Sequence, residues 1–213
     1  MNLNQAQIKL IATILMIIDR TGFLLDLEPM RIIGRLSFPL FAWIFAQNWK
    51  RREEKSAKPL ITRLTLFGII AQIPHLLLFS NIQLNILISF AITAITFTQV
   101  HKSNKKILML TVGLITAQLL GVSYGWYAIL CPLLMINLKK GGDQIWWMSW
   151  SVTNIIYVVT SGSLIQIFAI FTPIILLYHN PANDRKPSAI EKKFFYYFYP
   201  IHLAGLAAMR TVL

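Results

Sequence analysis

Charge is what this chain has least of. Only 13% of its 213 residues are Asp, Glu, Lys or Arg, and eight are acidic. A soluble domain carries about 25% charged residues. With 56% hydrophobic residues and a mean hydropathy of +0.60, the chain reads as an integral membrane protein. It also lacks a second cysteine. Cys131 stands alone in an apolar segment, which excludes an intramolecular disulfide, and no Cys/His spacing suits a metal ion. The opening MNLNQAQIK lacks the charged start and small-residue cleavage site of a signal peptide, so the first apolar run is expected to stay as an anchor. No linker, low-complexity stretch or internal repeat divides the sequence, and residues 1–213 read as one integral membrane domain. The shortage of acids leaves a net charge of +12. Basic cytoplasmic loops are the usual source of such an excess in a membrane protein, so no nucleic-acid partner is expected.

Apolar stretches of helix-spanning length run from end to end. The expected fold is all-α, a polytopic transmembrane bundle of about nine spans. These are Ile8–Leu25, Ile32–Trp49, Leu60–Phe79, Leu84–Val100, Ile107–Leu120, Tyr124–Leu138, Gln144–Thr160, Leu164–Tyr178 and Phe194–Val212. The connections alternate in charge. KRREEKSAKP, HKSNKK, KKGGD and HNPANDRKPSAIEKK are basic; DLEPM is acidic, and SNIQ, GVSY and SGS carry no charge. Lys and Arg concentrate on the cytoplasmic side. The alternation therefore predicts a cytoplasmic N-terminus and an extracytoplasmic C-terminus in the plasma (inner) membrane, with lipid as the surrounding partner.

That sidedness gives each polar residue a depth. Asp19 and Arg20 fall in the outer half of the first span, Arg35 near the outer end of the second, and His75 near the outer end of the third. Asn85, Tyr124 and Gln166 begin the fourth, sixth and eighth spans from outside. His202, in FYPIHLAG, falls near mid-membrane in the ninth. An intramembrane charge costs roughly 2.5–3.5 kcal/mol on insertion scales and normally pairs inside a bundle or cavity. Neighbouring helical residues point about 100° apart, so Asp19 is expected to pair across helices with Arg35, leaving Arg20 to snorkel or line the same cavity. An interhelical ion pair of purely structural purpose fits the same residues. His75 follows Pro74 and reads as structural. His202 is a titratable group at mid-depth, of a type suited to proton transfer.

These segments resemble a known family. KLIATILMIIDRTG, MRIIGRLSFPLFAWIFAQ, AQIP, LNILIS, YGWYAIL, QIFAIFTPIILLYHN and FFYYFYPIHLAGL occur in the order of the TraX family, named for N-terminal acetylation of conjugative F-pilin. IGRLSFPLF and YPIHL are the most specific. The family looks like a distant relative of larger polytopic membrane acyltransferases. The resemblance implies acetyl-CoA as donor substrate and a pilin or surface glycan as acceptor. It marks Asp19, Gly34, Arg35, Pro39, Asn85, Tyr124, Gly125, Gln166, Tyr199, Pro200 and His202. Two positions depart from the family pattern: Arg20 stands where a histidine is usual, and Ser123 where an aspartate is usual.

Acyl transfer needs a base for the acceptor's proton and donors for the developing oxyanion. The expected catalytic residues are His202 as base and Asp19 as its charge partner. Arg35, Asn85, Tyr124, Gln166 and Tyr199 are the expected substrate-binding residues. Two other readings stay open on sequence alone: a catalytically degenerate family member serving as a structural membrane subunit, and a transporter or channel.

Overall fold

A computed structural model describes residues 2–52, 56–138, 143–185 and 188–211; the side chains of 189, 190, 192, 193 and 195 are outside that description. Parts of three basic connections, 53–55, 139–142 and 186–187, lie outside the described residues, as does Val212. Among the described residues the chain is helical, with isolated bridges and no strand. The helices are α1 (Gln5–Leu24), α2 (Glu28–Gly34), α3 (Ser37–Lys50), α4 (Lys58–Phe79), α5 (Ile86–Lys102), α6 (Lys106–Leu119), α7 (Tyr127–Ile136), α8 (Gln144–Ser161), α9 (Thr172–Leu176) and α10 (Ala189–Arg210). By length and composition, α4 is the one helix among the described residues that is long and apolar enough to cross a membrane; Ile86–Lys102, Lys106–Leu119, Tyr127–Ile136 and Leu164–Leu176 are apolar but shorter.

Contacts divide the chain into two compact units. The first comprises Met1–Lys50 and Cys131–Ser188, the second Arg51–Leu130 and Ala189–Leu213. The boundary falls inside α7 at Cys131.

In the first unit, Asn4 starts α1 through a capping box: its side chain accepts from the Gln7 N–H, and the Gln7 side chain accepts from the Asn4 N–H. Pro29 sits at the start of α2, where its missing N–H costs nothing. The second expected span is broken in two, at Arg35–Leu36 between α2 and α3. Pro39 explains the break. It has no N–H for the Arg35 carbonyl, and its ring clashes with a carbonyl four residues back. The turn tightens instead, with the Leu36 N–H bonded to the Ile33 carbonyl at 3.4 Å. The eighth expected span is likewise divided, into a 3-10 stretch Leu164–Phe171 and α9. α2 and α3 both pack on α1, and the Ser37 hydroxyl donates to the Ala12 carbonyl at 2.8 Å. At one end of this unit the N-terminal segment meets the chain after α9: the Leu3 N–H bonds the Tyr178 carbonyl (2.7 Å) and the Asn180 N–H bonds the Leu3 carbonyl (2.9 Å).

In the second unit, α4 packs on both α10 and α5, and α5 on α6. Close approach is made possible by glycine at two crossings. A Cβ on Gly68 would sit 2.7 Å from Ile88, and one on Gly113 would overlap Thr96. Asn85 caps α5 by accepting the Leu87 N–H at 3.0 Å. The connections at that end pair through a Leu84–Val122 bridge. Arg210, at the end of α10, donates to the Leu78 carbonyl and to the Ser80 hydroxyl at the end of α4.

Both units bury polar groups while leaving many apolar side chains exposed. Ile69, Ile73 and Leu77 on α4 are 61%, 68% and 64% exposed. Asp19, His75, Asn85, Asn154 and Gln166 are each 4% exposed or less.

The tightest crossing is at Gly34, where an added Cβ would overlap the Cβ of Asp19 and lie 2.6 Å from its Cα. The obstacle is a neighbouring helix backbone, so no rotamer change relieves it. Gly34→Ala should destabilise the protein by about 1–3 kcal/mol, the usual range for overpacking. Thermal unfolding of the purified variant in detergent checks this; an unchanged midpoint would mean that α1 and α2 are not in contact there.

Candidate functional site

The candidate residues of the first unit centre on a buried carboxylate. Asp19 lies on the α1 face covered by α2, opposite Gly34. Its Oδ1 accepts from Arg35 Nη2, and its Oδ2 lies 3.3 Å from Arg20 Nη1. Arg35 is fixed further by its own backbone: Nε donates to the Arg31 carbonyl at 3.3 Å. The expected Asp19–Arg35 pair is thus present. Of the two courses open to Arg20, snorkelling or lining the same cavity, the structure shows it turned back to the same carboxylate. Neighbouring Cβ atoms diverge around a helix, but the arginine side chain is long enough to fold back. One carboxylate thus lies within reach of two guanidiniums. The side-chain exposures of Asp19, Arg35 and Arg20 are 6%, 13% and 16%, so water screens little of that charge. Arg20 therefore puts a permanent cation next to the carboxylate.

Gln166 belongs to the same unit, in the 3-10 stretch that packs against α2. It is 1% exposed, and its Nε2 makes no hydrogen bond among the described residues. Thr172 Oγ1 nearby in sequence is in the same condition. Buried polar atoms are normally partnered, so these two are the outstanding polar atoms of this part of the unit.

The other candidates lie in the second unit. His202 is on α10, one turn beyond Phe198 and next to the Pro200 kink position. Its Nδ1 is 3.2 Å from the Phe198 carbonyl, and its ring stacks on Phe198 with centroids 5.0 Å apart and planes 5° apart. Nε2 is buried. Tyr199 packs against the ring at 5.6 Å and is 4% exposed. His75 is buried in α4 against Phe79.

Asn85 has most of its polar capacity taken by the protein. Nδ2 donates to the Gly68 carbonyl (2.6 Å) and to Gln72 Oε1 (2.8 Å), its N–H donates to the same Oε1 (3.0 Å), and Oδ1 caps α5. It stitches α4 to α5. Tyr124 sits in the left-handed region at φ 67, between Gly121 (φ 60) and Gly125 (φ 49). For a bulky side chain that conformation is rare and worth a physical explanation. Here the preceding residue is locked: the Ser123 hydroxyl donates to the Leu84 carbonyl at 2.9 Å, and the Ser123 carbonyl accepts from Ser89 at 2.8 Å. A carbonyl needs a donor opposite, which serine supplies and an ionised aspartate cannot.

The structure thus brings Asp19 and Arg35 together in one unit, and His202 and Tyr199 together in the other. It also reveals a pair that the sequence reading passed over. His179 Nε2 lies 3.2 and 3.3 Å from the two carboxylate oxygens of Asp184, and Asp184 Oδ1 accepts the Gln5 N–H at 2.7 Å. Both residues sit in the basic stretch HNPANDRKPSAIEKK, where the run of charge masks a five-residue His/Asp spacing.

A family model described as TraX protein matches residues 4–210. Protein TraX of Escherichia coli is 27% identical over 212 residues, covering 95% of this chain and 85% of that one. An uncharacterized protein of Rickettsia prowazekii (strain Madrid E) is 36% identical over 88 residues, covering 40% of this chain and 33% of that protein. No solved structure matches the chain.

The Asp19 cluster predicts an asymmetric mutational response. Asp19→Asn removes the carboxylate that Arg35 and Arg20 share, and breaking a buried pair costs roughly 3–5 kcal/mol. Arg20→Gln keeps the Arg35 contact and should cost far less. Thermal unfolding and membrane abundance of the two variants measure the difference; equal effects would mean that the Arg35 contact has no special weight.

Proposed function

The chain belongs to the TraX family, and from that premise we propose that it is a multi-pass membrane acyltransferase. It carries an acyl group from cytoplasmic acetyl-CoA to an amine or hydroxyl of a pilin or surface glycan on the other side. Several features support the multi-pass reading. The apolar side chains of α4, α6 and α8 face outward while buried Asp, His, Asn and Gln face inward, the distribution suited to a lipid exterior. In the first unit, the connections read as cytoplasmic gather at one end. Gln5 reaches Asn48 (3.3 Å) and Asp184, and Trp146 Nε1 donates to the Leu134 carbonyl at 2.9 Å. In the second unit, the connections read as external gather too, through the Leu84–Val122 bridge and the bonds of Arg210 to Leu78 and Ser80.

The observation that carries the enzymatic reading is how His202 is held. A carbonyl oxygen only accepts, so the contact to Phe198 puts a proton on Nδ1. In the neutral ring the lone pair is then on Nε2, fixed in direction by stacking on Phe198. That is the arrangement a general base needs. Nε2 takes the proton from the acceptor's amine or hydroxyl as it attacks the thioester carbonyl. A C–N or C–O bond forms, the C–S bond breaks, and CoA leaves as its thiolate. Tyr199, beside the ring, and Tyr124 are the proposed hydroxyl donors to acceptor or oxyanion. Asp19, held by two guanidiniums, is better suited to fixing Arg35 than to moving a proton.

A second reading has one observation in its favour. Arg20 and Ser123, the two departures from the family pattern, are both absorbed into structural bonds, as expected of a relative that has become a structural membrane subunit. Transfer from labelled acetyl-CoA by purified protein in nanodiscs separates the two. On the enzymatic reading the wild-type protein transfers label, and His202→Ala slows turnover by about 10²–10⁴-fold at matched abundance. His75→Ala does much less. Full activity in His202→Ala would remove the mechanism, and an inactive wild-type protein would favour the structural subunit.

The topology has its own test. A reporter fused after Leu213 should read as extracytoplasmic and one inserted at residues 53–58 as cytoplasmic. Reporters on one side only would overturn the nine-span reading.

A further inference from the structure

His179, the partner of Asp184, lines a half-open cavity of about 170 Å³ in the first unit, together with Trp43, Gln47, Lys50 and Trp147 among mostly apolar neighbours. Four elements end around it. Lys50 closes α3, Leu138 follows α7, Trp147 lies in the first turn of α8, and His179 follows α9. Each of these ends leads into a connection whose basic sequence reads as cytoplasmic.

The chemistry of the lining is specific. A carboxylate only accepts, so His179 must donate to Asp184 through Nε2. Its other ring nitrogen, Nδ1, is in the neutral ring an acceptor. Trp43 presses on the imidazole with centroids 4.7 Å apart at 73°, fixing the ring plane. Asp184 is itself anchored by the Gln5 N–H. The cavity therefore offers one oriented acceptor (His179 Nδ1), one cation (Lys50), one amide (Gln47) and two indole walls. An apolar cavity of roughly 150 Å³ holds a benzene-sized group. A space of this size suits a slender chain rather than a whole nucleotide. The complementary ligand has an anionic group for Lys50, an amide N–H or thiol for His179, and a narrow, partly apolar body.

We propose that this cavity binds the phosphopantetheine arm of the acyl donor, with Lys50 on a phosphate, His179 on an amide or thiol of the arm, and Trp43 and Trp147 along its methylenes. The proposal rests on the acyl-CoA reading above for the identity of the carrier.

The test is equilibrium binding to the full chain in nanodiscs, followed by tryptophan fluorescence and calorimetry. The probes are CoA, 4′-phosphopantetheine and inorganic phosphate. Wild-type protein should bind the first two far more tightly than phosphate alone. Hydrogen bonds to charged groups contribute roughly 1.5–3 kcal/mol, so Lys50→Gln should weaken both carriers by about tenfold or more. His179→Gln should weaken 4′-phosphopantetheine binding without lowering the thermal midpoint. Because Asp184→Asn loosens the anchoring of Gln5, Gln47→Ala serves as the second lining variant. The proposal falls if neither carrier binds, if phosphate alone binds equally well, or if Lys50→Gln and His179→Gln both leave carrier affinity unchanged. Failure of the acyltransferase reading looks different: carriers would bind and the variants would weaken them, yet no label would reach an acceptor.

Discussion

A carboxylate buried in an apolar chain must be matched, and much of the first unit follows from how Asp19 is matched. Arg35 reaches it only because α2 lies against α1, and α2 can lie that close only because residue 34 has no side chain. Arg35 in turn sits at the break between α2 and α3, which Pro39 imposes by refusing the carbonyl four residues back. The segment IGRLSFP thus encodes a single device: a glycine for approach, an arginine for charge and a proline for the turn that aims it. Removing any one would leave charge buried without compensation, which costs far more than the paired state contributes.

The second unit solves the same problem without formal charge. Asn85 ties two backbone carbonyl and amide positions and a glutamine side chain together across α4 and α5, while Ser89, Thr93 and Ser123 donate to carbonyls of neighbouring segments. In both units buried polar groups are largely matched inside, and many large aliphatic side chains are exposed. For a chain with so few charges this is the consistent solution. An apolar solvent rewards no exposed polar group, so specificity must come from hydrogen bonds inside.

Helical class, the existence of most helices and the Asp19–Arg35 pair were legible in the sequence, because apolar length and opposite charges at a shared depth are strong signals. The breaks within the second and eighth expected spans were less so. Hydropathy stays high through Arg35–Leu36 and Leu164–Phe171, and only backbone bonding reveals the change of helix type. Arg20 was left between two courses, since helical geometry fixes where a Cβ points and not where a long side chain ends. Asn85 and Tyr124 were legible as special positions, but their surroundings were not. Hydrogen bonds that span 13 to 39 residues depend on tertiary placement. His179 and Asp184 were hidden by position: a charge-rich loop predicts solvent, whereas this one folds back onto the start of α1.

His202 and His179 then differ in a way that only hydrogen-bond partners decide. His202 donates through Nδ1 to a main-chain carbonyl of its own helix, so its orientation is fixed by local geometry. His179 donates through Nε2 to a carboxylate five residues away, so its orientation depends on the loop holding its shape. A carbonyl holds a ring without charge; a carboxylate holds it with charge that must itself be anchored, here by a helix-start N–H. The first arrangement suits a base that must stay in place within an apolar helix. The second suits a recognition group at a chain terminus and loop junction, where ligand arrival and loop order can be coupled. The two rings are therefore not duplicates, and a difference in the nitrogen each presents assigns them different partners.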